Sequence, residues 1–206
     1  TGVYRFSFQV NNLSDREQVY TLDGVALTDQ VNLDYPGYTF MGETSRALGA
    51  SVVFSAENGQ LPKLYDVNGD GAVDMTDVQV LLDGVNGLEE LSETVRRDLD
   101  LSGDGILDTA DVQILFEKVS AGFTALDVVK VPANGTATVH VTVTLTDADK
   151  AYMDEYYENG IYVDGFVRLY AQSEDGVDLS LPFMGFYGNW SDSKVFDIGW
   201  YYEGQD

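Results

Sequence analysis

The sequence predicts a mainly β protein with an α insert: a β-sandwich interrupted by a short helical module. Three observations lead there. Apolar and polar residues alternate at strand period over several short stretches on both sides of the centre. The centre instead spaces its apolar residues for helices. That centre is also an internal repeat. Two acidic loops begin 34 residues apart, at Asp66 and Asp100, and run into Val78-Gln79-Val80-Leu81-Leu82 and Val112-Gln113-Ile114-Leu115-Phe116. Neither flank alone holds enough strands to close a sandwich. Residues 1–62 and 121–206 are therefore expected to form one, with 63–120 inserted into a loop.

In chain order, Tyr4, Phe6, Phe8 and Val10 alternate with Arg5, Ser7 and Gln9, a half-buried strand over 3–10. Asn11-Asn12-Leu13-Ser14-Asp15 is turn chemistry. A second strand covers Gln18–Leu27. Residues 28–48, broken by Pro36, Gly37 and Gly42, are expected to be irregular, with one short strand near Tyr38–Met41. Ala50–Ala56 is a strand closed by Glu57-Asn58-Gly59. Val78, Leu81, Leu82 and Val85 share one helix face. Leu88, Leu91 and Val95 predict a middle helix, and Val112, Leu115, Phe116 and Val119 a third. Gly122 restarts the β pattern. Val128–Val131 is a short strand, Pro132-Ala133-Asn134-Gly135 a turn, and Thr136–Leu145 a strand with Ala137, Val139, Val141, Val143 and Leu145 facing in. Thr146–Tyr157 is a helical turn or short helix, and Ile161–Gln172 and Val177–Phe186 are two further strands.

The bulk numbers exclude several function classes. The formal net charge is −24, against the basic surface that nucleic acid or an anionic membrane requires. With no cysteine, disulfides and thiolate metal sites are out. No run of about 18 apolar residues exists, so no membrane-inserted helix is expected. The chain opens at Thr1 directly into a strand pattern, with no leader visible. It reads as a piece of a longer exported protein.

The two acidic loops carry the strongest chemical signal. Ca²⁺ takes six to eight hard oxygen ligands, which a twelve-residue loop supplies from positions 1, 3, 5, 7, 9 and 12 around a Gly at position 6. In the first loop these are Asp66, Asn68, Asp70, the Ala72 carbonyl, Asp74 and Asp77, with Gly71 at the turn. In the second they are Asp100, Ser102, Asp104, the Ile106 carbonyl, Asp108 and Asp111, with Gly105 at the turn. Mg²⁺ suits such loops less, because it demands tight octahedral geometry and keeps its waters. Two Ca²⁺ sites are expected, and the concentration of calcium outside cells suits them.

The tandem resembles a type I dockerin, the calcium module that docks onto cohesins. The likeness rests on Asp66-Val67-Asn68-Gly69-Asp70-Gly71 with Asp74 and Asp77, and on Asp104-Gly105 with Asp108 and Asp111. Asp rather than Glu at position 12 is a dockerin habit, while Ser102 departs from the usual Asn or Asp and implies a weaker second site. The resemblance places partner recognition at loop positions 10 and 11: Met75 and Thr76 in one half, Thr109 and Ala110 in the other. The Ser-Thr pair common there is absent from both halves. That implies a different class of cohesin and one preferred docking orientation.

The flanks resemble a second family, the fibronectin-III-like domain of subtilisin-like cell-envelope proteinases of the lactocepin type. The residues are Tyr4–Tyr20 with its Asn-Asn-Leu-Ser-Asp turn, Val131-Pro132-Ala133-Asn134-Gly135-Thr136, Gly165-Phe166-Val167-Arg168 and above all Leu181-Pro182-Phe183-Met184-Gly185-Phe186-Tyr187-Gly188-Asn189-Trp190. In that family the domain follows the protease domain and carries no catalytic residue. A dockerin-like insert departs from its pattern.

Nothing supplies a nucleophile with an adjacent base. The one histidine, His140, falls on the polar face of a strand among Thr138, Thr142 and Thr144, and no Gly-x-Ser-x-Gly elbow exists. A paired-carboxylate hydrolase stays open, since acids are abundant, but most clustered acids belong to the loops. Phe183, Phe186, Tyr187, Trp190, Trp200, Tyr201 and Tyr202 are read as sandwich core, with a carbohydrate platform as the alternative; Tyr156, Tyr157 and Tyr162 are ambiguous in the same way. Asn12-Leu13-Ser14, Asn134-Gly135-Thr136 and Asn189-Trp190-Ser191 match the glycosylation pattern. The expected protein is a monomeric, non-catalytic, extracellular accessory region. Its insert either binds a cohesin-domain partner or acts as a calcium-stapled spacer; a carbohydrate-binding sandwich comes third.

Overall fold

Strand alternation decides the sheets. The computed structural model describes residues 2–34, 40–173 and 176–189. β8 (Ile161–Ala171) buries every second residue along nearly its whole length. β7 (Thr136–Thr144) turns Val139, Val141 and Val143 inward. β1 (Val3–Asn11) pairs with β7 through all nine of its residues. β7 also pairs with β4 (Ser51–Ala56), which ends in a tight turn onto β5 (Gly59–Gln60). The first sheet thus has the order β1-β7-β4-β5. The second has the order β3-β2-β8-β9, built from β2 (Gln18–Asn32), β3 (Phe40–Ala47), β8 and β9 (Leu179–Tyr187), with β6 (Val128–Val131) beside the start of β2. All pairings are antiparallel. Pro182, which cannot donate to a ladder, sits on the edge strand β9.

The inner faces of both sheets supply one apolar core, including Leu22, Phe54, Val141, Val143, Val163 and Val167. Phe6 and Phe183 meet across it with ring centroids 5.2 Å apart. The architecture is a mainly β two-sheet sandwich with a few short helices.

One stretch departs from the sequence reading. Residues 28–48, expected to be irregular, are mostly strand: β2 runs on to Asn32, and β3 returns along it. The part of the expected Tyr38–Met41 strand before Phe40 lies outside the described residues. The register shifts between Asp29 and Val31, a bulge that breaks the period of two. Two tyrosines hold it. The Tyr152 hydroxyl accepts from the Val31 N–H (2.9 Å) and donates to the Asp29 carbonyl (3.1 Å), and the Tyr157 hydroxyl donates to the same carbonyl (2.8 Å).

The helices of the centre form a second apolar cluster of their own: Val78, Leu81, Leu91, Leu99, Val112 and Leu115. They are α1 (Met75–Val85), α2 (Glu93–Asp98) and α3 (Thr109–Ser120). Both long helices stop at a glycine of positive φ, Gly87 (+73°) and Gly122 (+79°), with the next N–H reaching back five residues: Leu88 to Asp83 and Phe123 to Lys118. The middle helix is shorter than expected. Leu88 lies outside it and is 77% exposed, because α1 has just ended there. Leu91, also outside α2, still reaches the cluster by seating on Gly84, where a Cβ would collide with its side chain.

Chain leaves the sandwich and returns through a narrow stem. The Leu64 N–H donates to the Leu126 carbonyl (2.8 Å) and the Val128 N–H to the Pro62 carbonyl (2.9 Å), with Lys63 and Asp127 bridged and ion-paired at 2.5 Å. Just inside the stem, the Tyr65 and Phe123 rings pack at 5.2 Å.

The remaining helix, α4 (Asp147–Tyr156), follows β7 and starts with a reciprocal cap between Thr146 and Asp149. The buried Asp149 carboxylate also accepts the Gly49 N–H (2.9 Å), tying α4 to the start of β4. Burial pushes its pKa up. The Thr146 and Gly49 donors and the nearby Arg46 cation outweigh that and hold it below the usual carboxylate range. A lowered folded pKa gives stability that is full above about pH 4, the unfolded value, and is lost as pH falls through the lower folded value. Thermal melts at pH 2 to 7 are expected to show that loss, and Asp149→Asn to flatten it while lowering stability at neutral pH.

Candidate functional site

The two acidic loops are built on one hydrogen-bonding plan. In the first, Asp66 turns both carboxylate oxygens inward: Oδ1 accepts from the N–H groups of Gly69 (2.7 Å) and Asp70 (3.2 Å), and Oδ2 from Gly71 (2.9 Å). Asn68 Oδ1 accepts from Asp70 N (2.9 Å), and Asp70 Oδ1 from Ala72 N (2.9 Å). Asp74 caps α1 by accepting from Thr76 N (2.7 Å), which lowers its pKa. Asp77 closes the loop: its Oδ1 accepts from Val67 (2.8 Å) and Asn68 (3.2 Å), its Oδ2 from Asp74 (2.8 Å).

The second loop repeats this. Asp100 accepts from Gly103 (2.9 Å) and Gly105 (2.8 Å), Asp104 from Ile106 (2.8 Å), and Asp108 from Ala110 (2.7 Å). Asp111 closes it through Ser102 N (2.9 Å) and Asp108 N (2.8 Å). Ser102, the odd residue of the set, donates its hydroxyl to Asp100 (3.2 Å). The turn glycines Gly71 and Gly105 have φ of +90° and +82°, which explains the residue type at position 6.

Asp77 and Asp111 are wholly buried. Burial pushes the Asp111 carboxyl up, but N–H donors of Asp108, Ser102 and Leu101 and the Ser102 hydroxyl hold its pKa low. The donor set is all hard oxygen, the type a calcium ion takes. The N–H bonds to Asp66 and Asp70 leave part of each carboxylate's acceptor capacity unused, out of roughly four lone-pair sites. The residues therefore fit such a cation in chemistry. In arrangement they are held by the loop amides, and among the described residues no three Asp, Glu, His or Cys side chains gather closely enough to hold a metal.

Beyond the loops, α1 and α3 pack side by side and leave a shallow groove of about 430 Å³. Its lining obeys the repeat: Met75 with Thr109, Val78 with Val112, Gln79 with Gln113, Leu82 with Phe116. Met75 is 50% exposed. Of the four expected partner-binding residues, Met75 and Thr109 line this groove; Thr76 and Ala110 are exposed beside it but do not. Phe116 lies on the third helix, as its spacing predicts. It is 41% exposed in the groove, because Val112 and Leu115 already fill the inner face. Gln79 and Gln113 were missed, although the 34-residue offset pairs them.

His140 lies half-buried in a cross-strand row with Ser7 and Ser55, and that row holds no carboxylate. Phe183, Tyr187, Tyr156 and Tyr157 are partly buried against the sandwich core; Tyr162 meets Phe186 edge-on. Trp190, Trp200, Tyr201 and Tyr202 lie outside the described residues. Asn12 is not open to modification. Its buried amide donates to the carbonyls of Arg16, Val131 and Pro132 and anchors the β1–β2 turn.

Residues 90–184 match the model of an Fn3-like domain. The match begins at Glu90, among the helices, and runs into β9. Over 69 residues the chain is 33% identical to the PII-type proteinase of Lactococcus lactis subsp. cremoris, to the PIII-type proteinase of its strain SK11, and to the PII-type proteinase of Lacticaseibacillus paracasei. That stretch covers 34% of this chain and only 3% of each relative. The chain thus matches only a small part of the length of these proteinases.

Asp77→Ala strips the acceptor from three loop N–H groups and is expected to cost about 1–3 kcal/mol even without metal. Urea unfolding followed by helical circular dichroism in chelated buffer checks it. A change within error would mean water replaces the carboxylate freely.

Proposed function

We propose that this chain is a non-catalytic accessory region of a longer, exported subtilisin-like peptidase of the lactocepin type, acting at the cell surface. The Fn3-like sandwich, 1–62 with 121–206, is the carrier. The insert, 63–120, is a dockerin-type calcium module that tethers the peptidase to a cohesin-domain protein. The observation that best supports this is the α1–α3 groove, a mostly apolar face generated by the repeat and held above two all-oxygen loops. Calcium would be held by Asp66, Asn68, Asp70, Asp74 and Asp77 in one loop and Asp100, Ser102, Asp104, Asp108 and Asp111 in the other, with the Ala72 and Ile106 carbonyls. It supplies positive charge that offsets the mutual repulsion of these carboxylates.

A second reading is a calcium-stapled spacer without a cohesin. It is favoured by the buried Asp77 and Asp111, which organise the loops from within and involve no partner.

Calcium at about a hundred times its dissociation constant is expected to stabilise the helical unit by about 2.7 kcal/mol for each site filled, leaving the sandwich transition where it is. Calorimetry with and without chelator reads this, and identical profiles would retire the calcium proposal. Asp66→Ala and Asp100→Ala should each remove one site.

Pull-down with cohesins separates the two readings. Met75→Asp is expected to weaken capture by about 2 kcal/mol or more, and Thr109→Ala by less, because Met75 offers the larger apolar contact. Equal losses would remove the single-orientation idea. Capture of no cohesin at all would leave the spacer.

A further inference from the structure

We propose that Glu17, Arg97, Asp98 and Lys130 form an electrostatic latch that fixes the direction in which the helical insert faces on the sandwich. The inference goes beyond the proposed function and holds whether or not the loops bind calcium.

The stem attaches the insert along one line, through the Pro62–Leu64 and Leu126–Val128 strands. A single antiparallel bridge resists separation but is a poor guard against swing about its own axis. The latch is the second attachment. Arg97 Nη2 donates to Glu17 Oε1 (2.8 Å) and, with its Nε, to Asp98 Oδ1 (2.8 and 3.0 Å). Asp98 Oδ2 accepts from Lys130 Nζ at 2.6 Å. The chain of charges runs from the residue before β2, through the last turn of α2, to β6. On the sandwich side it lands on one ladder, since Lys130 pairs with Val19. Its side chains are 30–59% exposed, so each pair alone is a modest contact, but the four share donors and acceptors as one network.

Charge is what makes a latch necessary. Residues 63–120 carry fourteen acids and four bases, and the sandwich is also strongly acidic. Two negative bodies joined by a thin stem repel each other. Cations at the seam oppose that: Lys63 at the stem, Arg97 and Lys130 at the latch. Asp98 is held between Arg97 and Lys130 while the next residue, Leu99, is buried in the helical core. A bond made at the seam is therefore transmitted directly to the helices that carry the groove.

The test uses the full chain. It holds no cysteine, so cysteines at the exposed positions Glu90 and Ser51 label the insert and the sandwich uniquely, and pulsed electron spin resonance reads the distance between them. The parent is expected to give one narrow distance. Arg97→Ala with Lys130→Ala should broaden or shift it, while circular dichroism and thermal melting of both units stay unchanged. Lys130→Glu alone should broaden it too, since it sets a second carboxylate against Asp98. A double alanine variant as narrow as the parent would overturn the latch and leave the stem sufficient. So would a Lys130→Glu variant as narrow as the parent.

Discussion

The helical unit depends on a buried carboxylate that arrives last in each loop. Asp77 and Asp111 stand at the first turn of their helices, yet their bonds go backwards, to the beginning and end of the preceding loop. Each replaces the water its loop N–H groups would otherwise need, and in doing so joins loop to helix as one piece. Once both are seated, Val78 with Leu81 and Val112 with Leu115 point at each other without further instruction. The groove that these helices leave between them is what remains exposed. Loop, core and face are thus consequences of two side chains that never reach solvent.

Most of this was legible because the repeat is spelled out. A fixed offset gives the equivalent residues, and the 3.6-residue period gives the inner face, so α1 and α3 are readable from sequence alone. Strands with strict alternation, β7 and β8, were equally plain. The errors have local physical causes. β2 and β3 were misjudged because Thr28, Asp29, Gln30 and Asn32 hide their pairing and a bulge shifts the period in mid-strand. The tyrosines that stabilise this bulge come more than a hundred residues later, beyond any local pattern. That Phe116 faces the groove could not be read, because an apolar residue at helical spacing carries no mark that says whether the inner face is already full. Which of the many acids meet bases across the seam could not be read either, since Glu17 and Arg97 come together only when the insert sits down on the sandwich.

The sandwich shows how a chain with so much negative charge can still fold densely. Its acids sit at caps, turns and the outward faces of strands, as Asp23 and Asp164 do, while the inner faces of both sheets are aliphatic and aromatic. The one buried acid there, Asp149, is neutralised in effect by hydrogen-bond donors and the neighbouring Arg46. The negative surplus is thereby left outside, where it favours solubility and repels anionic polymers.

The stem has a mechanical consequence. Because the chain leaves and returns through neighbouring, antiparallel strands, tension running through the sandwich passes across the base of the insert without stretching it. A pull exerted on the α1–α3 face is different: it is met by the Glu17–Arg97 and Asp98–Lys130 pairs as well as by the Leu64–Leu126 and Pro62–Val128 stem. Force on the side arm is thereby shared between a hydrogen-bonded root and a charged one.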